Sequence, residues 1–406
     1  MTDSCKRILV VGAGFAGMWS ALGAARLLDI ANKSGELIEV ALIGPEPMLH
    51  VRPRLHESNP LGMKAPLLPL FEATGVRFIQ GSVSDIRAAD RVVEAVAADG
   101  NRFTVRYDKL VLASGSSLFR PPVPGLATAA FSIDQIEDAA LLEAHLGKLA
   151  DQPDTPARNT VVVVGGGFTG IEIATELPAR LRSVLGNTVP INVIVIEQAE
   201  AVGPDLGLGP RPVIEQAMTG LGITLRLGAA VNAIDTDGIV TSTGERIDAK
   251  TVIWTAGMRA NALTKKLNAE RDRLGRLHVD AELRVLGTED IFAAGDVAFA
   301  ATDDAGNHPL MSCQHAMNLG RFAGHNVAAD LIGAELLPYR QPFYVTCLDL
   351  GSWGAVYTEG WDRQIKLVGT EAKALKRQIC TEWIYPPAAD REAAFAAADP
   401  TVTVVA

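Results

Sequence analysis

Short apolar runs followed by glycines and then by helix-forming stretches recur along the chain. Residues 8–11 and 161–164 contain no polar position, which is typical of strands buried on both faces of a parallel sheet. Residues 18–28 and 171–181 follow these runs and favour helices. Strands that alternate with helices predict an α/β fold.

The same pattern continues between and beyond these segments. Further strands are predicted at 38–43, 76–79, 102–107, 109–116, 191–196 and 251–257, and a helix at 134–149. The strands at 109–116 and 251–257 both end in small residues, so the two halves of the chain repeat one plan. The repeat predicts two Rossmann-like dinucleotide-binding modules.

A glycine fingerprint stands at the first turn of each module. Gly12, Gly14 and Gly17 follow the first strand, and Gly165, Gly167 and Gly170 follow its counterpart. The first glycine makes the tight turn, the second lets the backbone reach a diphosphate, and the third lets helix pack on strand. Two fingerprints in one chain predict electron transfer between two nucleotide cofactors.

Acidic and basic residues near these turns are candidate nucleotide ligands. Glu197 ends the second strand of the later module, where an acid can bind a ribose, whereas Glu46 of the earlier module is displaced past Pro45. The proline-broken segment 50–57, which contains Arg54, is predicted as a loop beside the first nucleotide site. Residues 120–125 are rich in proline and are predicted to form a rigid linker that leads out of the first module.

Composition narrows the classes of partner. The 406 residues are enough for two or three domains, and a net charge of −10 disfavours nucleic acid and anionic membranes. Cys5, Cys313, Cys347 and Cys380 form no close pair, so no metal site or dithiol is expected. Without room for a signal peptide or an apolar stretch of about 18 residues, a soluble cytoplasmic protein is expected.

A third motif lies late in the chain. Residues 290–297 form an apolar strand that ends in Gly295 and Asp296. At this position the carboxylate could reach a ribityl hydroxyl or a diphosphate, although the same residues also make ordinary turns.

Taken in order, five motifs resemble those of the pyridine-nucleotide flavoproteins with two dinucleotide domains. The similarity spans about residues 6 to 335 and is greatest to the type II NADH dehydrogenase family. The motifs are Gly12-Ala-Gly-Phe-Ala-Gly17, Ala113-Ser-Gly115, Gly165-Gly-Gly-Phe-Thr-Gly-Ile-Glu172, Thr255-Ala-Gly257 and Phe292-Ala-Ala-Gly-Asp296.

The resemblance implies FAD at the first fingerprint and NAD(P)H at the second. NADH is favoured over NADPH because Glu197 can accept from a free ribose 2′-hydroxyl and no Arg or Lys follows it in residues 197–200. The resemblance also implies an NAD domain (121–279) inserted into an FAD domain (1–120 and 280–335), followed by a small C-terminal α+β domain (336–406). The residues assigned to the two cofactors are Gly12, Gly14, Phe15, Ala16, Gly17, Glu46, Arg54, Ala113, Ser114, Gly115, Gly165, Gly167, Phe168, Thr169, Gly170, Glu197, Gly257, Gly295 and Asp296.

Two further residues are assigned to the chemistry by the same resemblance. Glu172 matches a glutamate that faces the flavin and nicotinamide, although an acid in the first turn of a helix also favours the helix dipole. Gln314 and Ala316 match the family's quinone-site pattern, from which Cys313 and Asn318 depart. The amphipathic membrane helices of the family are not evident near the C-terminus, so membrane association is expected to be weak or absent.

Other candidate side chains stay open. Cys313 and Cys347 do not reproduce the cysteine pattern of sulfide-oxidising relatives and are expected to be buried apolar residues. His50, His56 and His315 could carry protons near the flavin or could be ordinary loop and core residues.

The sequence therefore predicts an FAD-dependent enzyme that oxidises NADH and reduces a quinone or another small aromatic acceptor. The alternatives are a reductase for ferredoxin or rubredoxin and a flavoprotein that senses NADH without turnover. The oligomeric state is left open, with a homodimer as one option.

Overall fold

The computed structural model describes residues 5–35 and 37–402, and its regular elements alternate along most of that length. The α-helices of this described part are α1 Phe15–Ile30, α2 Leu68–Thr74, α3 Leu126–Ala129, α4 Ile136–Gly147, α5 Phe168–Leu185, α6 Arg211–Gly220, α7 Cys313–Ile332, α8 Thr370–Gln378 and α9 Arg391–Ala397.

The strands are shorter than the helices and belong to several sheets. They are β1 Lys6–Val11, β2 Ile38–Gly44, β3 Met48–His50, β4 Lys64–Pro66, β5 Arg77–Gln80, β6 Ser82–Arg87, β7 Val92–Val96, β8 Arg102–Arg106, β9 Lys109–Leu112, β10 Ser116–Leu118, β11 Thr160–Val164, β12 Asn192–Ile196, β13 Ile223–Arg226, β14 Val231–Asp235, β15 Gly238–Thr241, β16 Arg246–Asp248, β17 Thr251–Trp254, β18 Met258–Ala260, β19 Leu277–His278, β20 Ile291–Ala293, β21 Ala298–Phe299, β22 Val345–Asp349, β23 Ala355–Glu359 and β24 Gln364–Gly369.

A five-stranded parallel sheet forms the first layer, with strand order β20-β9-β1-β2-β5. The β1 side chains from Ile8 to Val11 are almost fully buried, as the uninterrupted apolar run predicts. Strand β20 joins this sheet although the strands of a second sheet lie between it and β9 in the chain. The first sheet is thus assembled from two separate stretches of sequence.

Helices α1 and α7 pack closely on this first layer. A Cβ at Gly324 would lie 2.2 Å from the carbonyl oxygen of Ser20, and one at Gly320 would lie 2.6 Å from that of Ala16. Since only glycine allows such close contact, these two positions set the crossing of the helices. The crossing brings the beginning of α7 next to the beginning of α1.

The second layer repeats the plan with a four-stranded parallel sheet of order β13-β12-β11-β17 and helix α5. The antiparallel sheets β6-β7-β8 and β14-β15-β16 are appended to the two parallel sheets. This mixed α/β architecture with two Rossmann-type layers confirms the predicted fold class.

The C-terminal part adds the antiparallel sheet β22-β23-β24 and helix α8. Leu348 and Val356 of this sheet join the apolar core beneath α5, while Val345 and Ala355 join the core beneath α1. The sheet therefore connects the two layers. Residues 403–406 lie outside the described residues.

Candidate active site

A cavity of about 670 Å³ runs between the two parallel sheets and the C-terminal sheet. This volume lies in the range of sites that bury small ligands and cofactors. The cavity is lined by most of the predicted site residues: Gly12, Gly14, Phe15, Ala16, Glu46, Ala113, Ser114, Gly115, Phe168, Thr169, Glu172, Gly295, Asp296 and Gln314.

The first fingerprint forms a cradle at one end of this cavity. Helix α1 begins after Gly14, which offers no side-chain cap, and a Cβ placed at Gly14 would meet no atom within 4 Å. The first N–H groups of α1 therefore face open space, where the helix dipole favours an anion. Gly17 lies behind the turn, where its Cβ would come within 1.8 Å of the Gly12 oxygen. This arrangement fits a dinucleotide diphosphate.

Two polar side chains, Ser114 and Asp296, continue the cradle. The buried Ser114 Oγ has no hydrogen-bond partner among the described residues. Asp296 is reached by a 2.5 Å hydrogen bond from Ser116 Oγ, and burial raises the pKa of its carboxyl despite the opposing charges of Arg52 and Arg276. Both groups line the cavity and fit the hydroxyl-rich chain of a flavin cofactor.

Glu46, the predicted ribose ligand, also lines the cavity. Its Oε1 is 2.6 Å from Nε2 of His50, and both residues line the cavity. Because a carboxylate can accept several hydrogen bonds, this pairing leaves lone pairs of Glu46 for a hydroxyl group.

The assignment of Arg54 to the cofactor is not supported by its position. Its guanidinium pairs with Glu57 at 2.8 Å and donates to the hydroxyl of Tyr385 at 3.0 Å, away from the cavity. Arg52 lines the cavity instead and is held by Asp134. The two arginines lie on the same tight turn, Arg52–Arg54, on which side chains two residues apart point in different directions.

The second fingerprint opens towards the same cavity. Helix α5 begins after Gly167, also without a side-chain cap, and its first residues Phe168 and Thr169 line the cavity. A Cβ at Gly170 would lie 1.8 Å from the Gly165 oxygen, so this glycine serves the packing of helix on turn. Seven predicted site residues do not line the cavity: Gly17, Arg54, Gly165, Gly167, Gly170, Glu197 and Gly257.

Glu197 is fixed by the backbone around the second fingerprint. Its carboxylate accepts hydrogen bonds from the N–H groups of Gly166, at 2.7 Å, and Ala199, at 2.8 Å. The side chain is buried, so its orientation is set before any ligand binds. The sequence did not predict these two bonds.

Helix α7 and the C-terminal sheet line a further end of the cavity. Gln314, in the first turn of α7, is buried and lines the cavity with Val345 and Cys347. His315 does not take part in the lining; its ring stacks on Tyr344 at 4.9 Å, and burial lowers its pKa to about 3. His315 is thus a neutral packing residue rather than a proton carrier.

Three thiols also lie at this end: Cys313, Cys347 and Cys380. Burial raises the pKa of Cys313 and of Cys347 to about 12, so these two are neutral thiols at physiological pH. The described residues contain no cluster of side chains arranged to hold a metal ion.

Charged side chains from three parts of the chain meet at Glu172. Its Oε1 accepts hydrogen bonds from Lys376 Nζ at 2.8 Å and from the Asp349 N–H at 3.1 Å, while His56 Nδ1 lies 3.5 Å from its Oε2. Lys373 also pairs with Asp349, at 2.5 Å. We call Glu172, His56, Asp349, Lys373 and Lys376, together with Glu176, the charged cluster.

Sequence reasoning missed most of this cluster. His56 was left open, and the two lysines carry no local signal because they reach the site only through the packing of α8 on the C-terminal sheet. Asp349 reaches the cluster as the last residue of β22.

With the geometry established, comparisons with known proteins identify the class of protein. The model of the pyridine nucleotide-disulphide oxidoreductase family matches residues 6–320. The chain belongs to this family.

Individual relatives narrow the comparison. The chain is 46% identical to an NADH dehydrogenase-like protein of Mycobacterium tuberculosis over 98% of both chains. It is 29% identical to the demethylphylloquinone reductase of Synechocystis, over 93% of this chain and 92% of the relative. Its fold is similar to that of NDH2 from Plasmodium falciparum, with a TM-score of 0.76, 15% identity and 97% of both chains covered.

These findings confirm the predicted family, an oxidoreductase activity that uses NADH, and FAD and NADH as the cofactors. A further relative, the type II NADH:quinone oxidoreductase of Staphylococcus haemolyticus, is 26% identical over 95% of this chain and 96% of the relative. No helix within the described residues is long and apolar enough to cross a membrane.

Proposed function

We propose that this enzyme passes two electrons from NADH, through FAD, to a quinone or another small aromatic acceptor. The observation that carries the proposal is one cavity lined by the beginning of α1, the beginning of α5 and Gln314 of α7. When bound, FAD supplies the chemistry by taking up a hydride and releasing the electron pair. The protein orients the reactants and excludes water.

The first fingerprint is proposed to hold FAD. The N–H groups of Phe15 and Ala16 bind the diphosphate, Asp296 and Ser114 bind the ribityl part, and Glu46 binds the ribose. The empty space at Gly14 and the unpaired Ser114 hydroxyl support this placement.

The second fingerprint is proposed to hold NADH, with Phe168 and Thr169 nearest to the nicotinamide. Glu197 accepts a hydrogen bond from the free 2′-hydroxyl and repels the 2′-phosphate of NADPH. Its buried, backbone-held carboxylate supports this selection.

The division into domains follows from the proposed sites. Residues 1–120 and 280–335 form the FAD domain, 121–279 the inserted NAD domain, and 336–406 the small C-terminal domain. The presence of β20 in the first parallel sheet supports the insertion.

The acceptor is proposed to bind beside Gln314, where α7 and the C-terminal sheet line the cavity. Two relatives bear the names of quinone reductases, which supports a quinone-like molecule. We further propose that the protein works in the cytoplasm, with weak or no membrane association and as a monomer or homodimer.

An anaerobic acceptor panel tests the proposal. The protein is reduced with one equivalent of NADH, and return of the flavin absorbance is followed after addition of a soluble quinone, a ferredoxin, a rubredoxin or ferricyanide. Fast reoxidation by the quinone is expected. Reoxidation by only the iron–sulfur proteins would favour a ferredoxin-type reductase, and no reoxidation by any of these acceptors would favour a sensing role.

A further inference from the structure

His56 is buried between two carboxylates at the edge of the cavity. Its Nδ1 lies 3.5 Å from Oε2 of Glu172, and its Nε2 lies 3.8 Å from Oδ2 of Asp349. The residue is 2% exposed, and its Nε2 has no hydrogen-bond partner among the described residues. The loop that carries it is fixed because Arg180 of α5 donates to the His56 carbonyl oxygen at 3.2 Å.

The charges around His56 balance only if the ring is protonated. The charged cluster contains the carboxylates of Glu172, Asp349 and Glu176 but only the two ammonium groups of Lys373 and Lys376. An unbalanced charge in a buried cluster is costly. An imidazolium at His56 supplies the missing positive charge.

The local electrostatics favour the protonated form. Burial and the nearby Lys376 act to lower the pKa of His56, but the negative charges of Glu172 and Asp349 outweigh them, so the pKa is raised. The group therefore stays protonated to a higher pH than a free histidine.

The charged cluster also connects the cavity with the surface. At its inner end, Lys376, Glu172 and His56 line the cavity. At its outer end, Lys373 bridges Asp349 at 2.5 Å and Glu176 at 3.3 Å, and the Lys373 side chain is 30% exposed. His56 faces Glu172 on one side and Asp349 on the other, and so links the two ends.

Reduction of a quinone by NADH consumes one proton, since NADH, H⁺ and the quinone give NAD⁺ and the quinol. Building on the proposed function, we propose that His56 stores this proton and supplies it through Glu172 and Lys376 to the acceptor oxygen. An N–H bond of His56 breaks as the O–H bond of the quinol forms, and the electron pair comes from NADH. A solvent proton then reaches the neutral ring through Lys373 and Asp349.

The protonation state can be measured without turnover. The chain has seven histidines, so ¹⁵N-histidine NMR of the FAD-loaded protein, compared with a His56→Gln variant, assigns the His56 signal by difference. An imidazolium signal that persists at pH 7.5 is expected. A neutral His56 at that pH would overturn the proposal.

Two acceptors separate proton supply from electron transfer. In stopped flow, NADH-reduced His56→Gln should be reoxidised by a soluble quinone at least about tenfold more slowly than wild type, and by ferricyanide, which takes only electrons, at an unchanged rate. The wild-type rate with the quinone should fall as the pH rises through the raised pKa of His56, and the variant should lose this dependence.

The matched control is His145→Gln, since His145 is half-buried against Phe131 and bonds Thr251 outside the cavity. Equal slowing with both acceptors, or an unchanged pH profile, would overturn the role of His56. A wild-type protein that ferricyanide reoxidises but quinones do not would instead overturn the proposed acceptor.

If His56→Gln does not fold, Lys373→Met at the outer end of the charged cluster should show the same quinone-specific slowing. Normal quinone rates in that variant would contradict the proposal.

Discussion

Lys376 Nζ donates a 2.8 Å hydrogen bond to Oε1 of Glu172, joining two buried side chains that lie 204 residues apart in the chain. The bond ties α8 of the C-terminal part to Glu172, the fifth residue of α5, close to the second fingerprint. The chemical site and the attachment of the C-terminal sheet are therefore one structure.

Removing one member of this pair should destabilise the protein strongly. Lys376→Met leaves the Glu172 carboxylate buried with less compensation, so the free energy of unfolding should fall by about 3 kcal/mol. The double variant Glu172→Gln/Lys376→Met should recover much of the loss, because neither charge is left unpaired. Urea unfolding of the FAD-loaded proteins measures this coupling.

The exposed pair Lys250 and Asp237 provides the control for that cycle. Its coupling energy should be at most about 1 kcal/mol, since solvent screens both charges. Equal coupling in the two pairs would show that burial does not set the strength of the Glu172–Lys376 interaction.

The two fingerprints should respond differently to the same substitution. Gly14 and Gly167 have nearly identical backbone angles, φ −77° and −79°, and a Cβ at either position meets no protein atom within 4 Å. Valine is therefore tolerated by the fold but projects to where a diphosphate would bind.

We expect Gly14→Val to lose FAD, and Gly167→Val to keep FAD but resist reduction by NADH. Flavin absorbance after gel filtration measures the first property, and anaerobic titration with NADH the second. Thermal unfolding checks that both variants are folded. Equal loss of flavin in the two variants would contradict the assignment of the cofactors to the fingerprints.

These expectations rest on what the sequence predicts well, namely local pattern. The uninterrupted apolar run before Gly12 and the glycine spacing depend on neighbouring residues only, and both are found in the structure. Arg54 shows the limit of such local reasoning, since a tight turn points it at Glu57 and leaves Arg52 in the cavity. Lys376 shows a second limit, because no nearby residue indicates a contact made across 204 positions.

Coenzyme preference should follow Glu197. The carboxylate accepts from a 2′-hydroxyl but repels a 2′-phosphate, so NADPH should be the poorer donor by at least roughly tenfold in kcat/KM, which corresponds to about 1.4 kcal/mol. Glu197→Gln should lower the ratio of kcat/KM with NADH to kcat/KM with NADPH. Glu200→Gln, at an exposed acid three residues later, is the control and should leave it unchanged. A wild-type preference for NADPH would contradict the proposed selection.

Stability should decrease in acid because of Asp349. Burial acts to raise the pKa of its carboxyl, but His56 and Lys373 outweigh this effect and lower the pKa from 3.8 to about 2. A carboxyl whose pKa is lower in the folded than in the unfolded state stabilises the fold at pH values above its unfolded-state pKa. This stabilisation is lost as the pH falls towards 2. The contribution is on the order of 2 kcal/mol near neutral pH.

Unfolding free energies of wild type and Asp349→Asn, measured from pH 7 to pH 3, test this sign. The difference between the two proteins should shrink as the pH falls. The control is Asp235→Asn, because Asp235 also has a pKa lowered to about 2 but lies at the surface beside Arg246, where solvent screens the charges. The difference between wild type and Asp235→Asn should be smaller and should vary less with pH. A difference for Asp349→Asn that is constant with pH would exclude the charge as its cause.

The last prediction concerns the acceptor end of the cavity. Gln314 lines it, whereas Asn318, one turn later, is turned to the Arg340 carbonyl group at 3.3 Å. Gln314→Ala should leave reduction by NADH nearly unchanged and slow reoxidation by a soluble quinone, while the exposed control Gln378→Ala should change neither step in stopped flow. Because the sequence predicts no amphipathic membrane helix near the C-terminus, the acceptor site should favour small soluble quinones over long-chain membrane quinones. Tight binding to lipid vesicles with a preference for a long-chain quinone, or equal slowing of both steps in Gln314→Ala, would contradict this assignment.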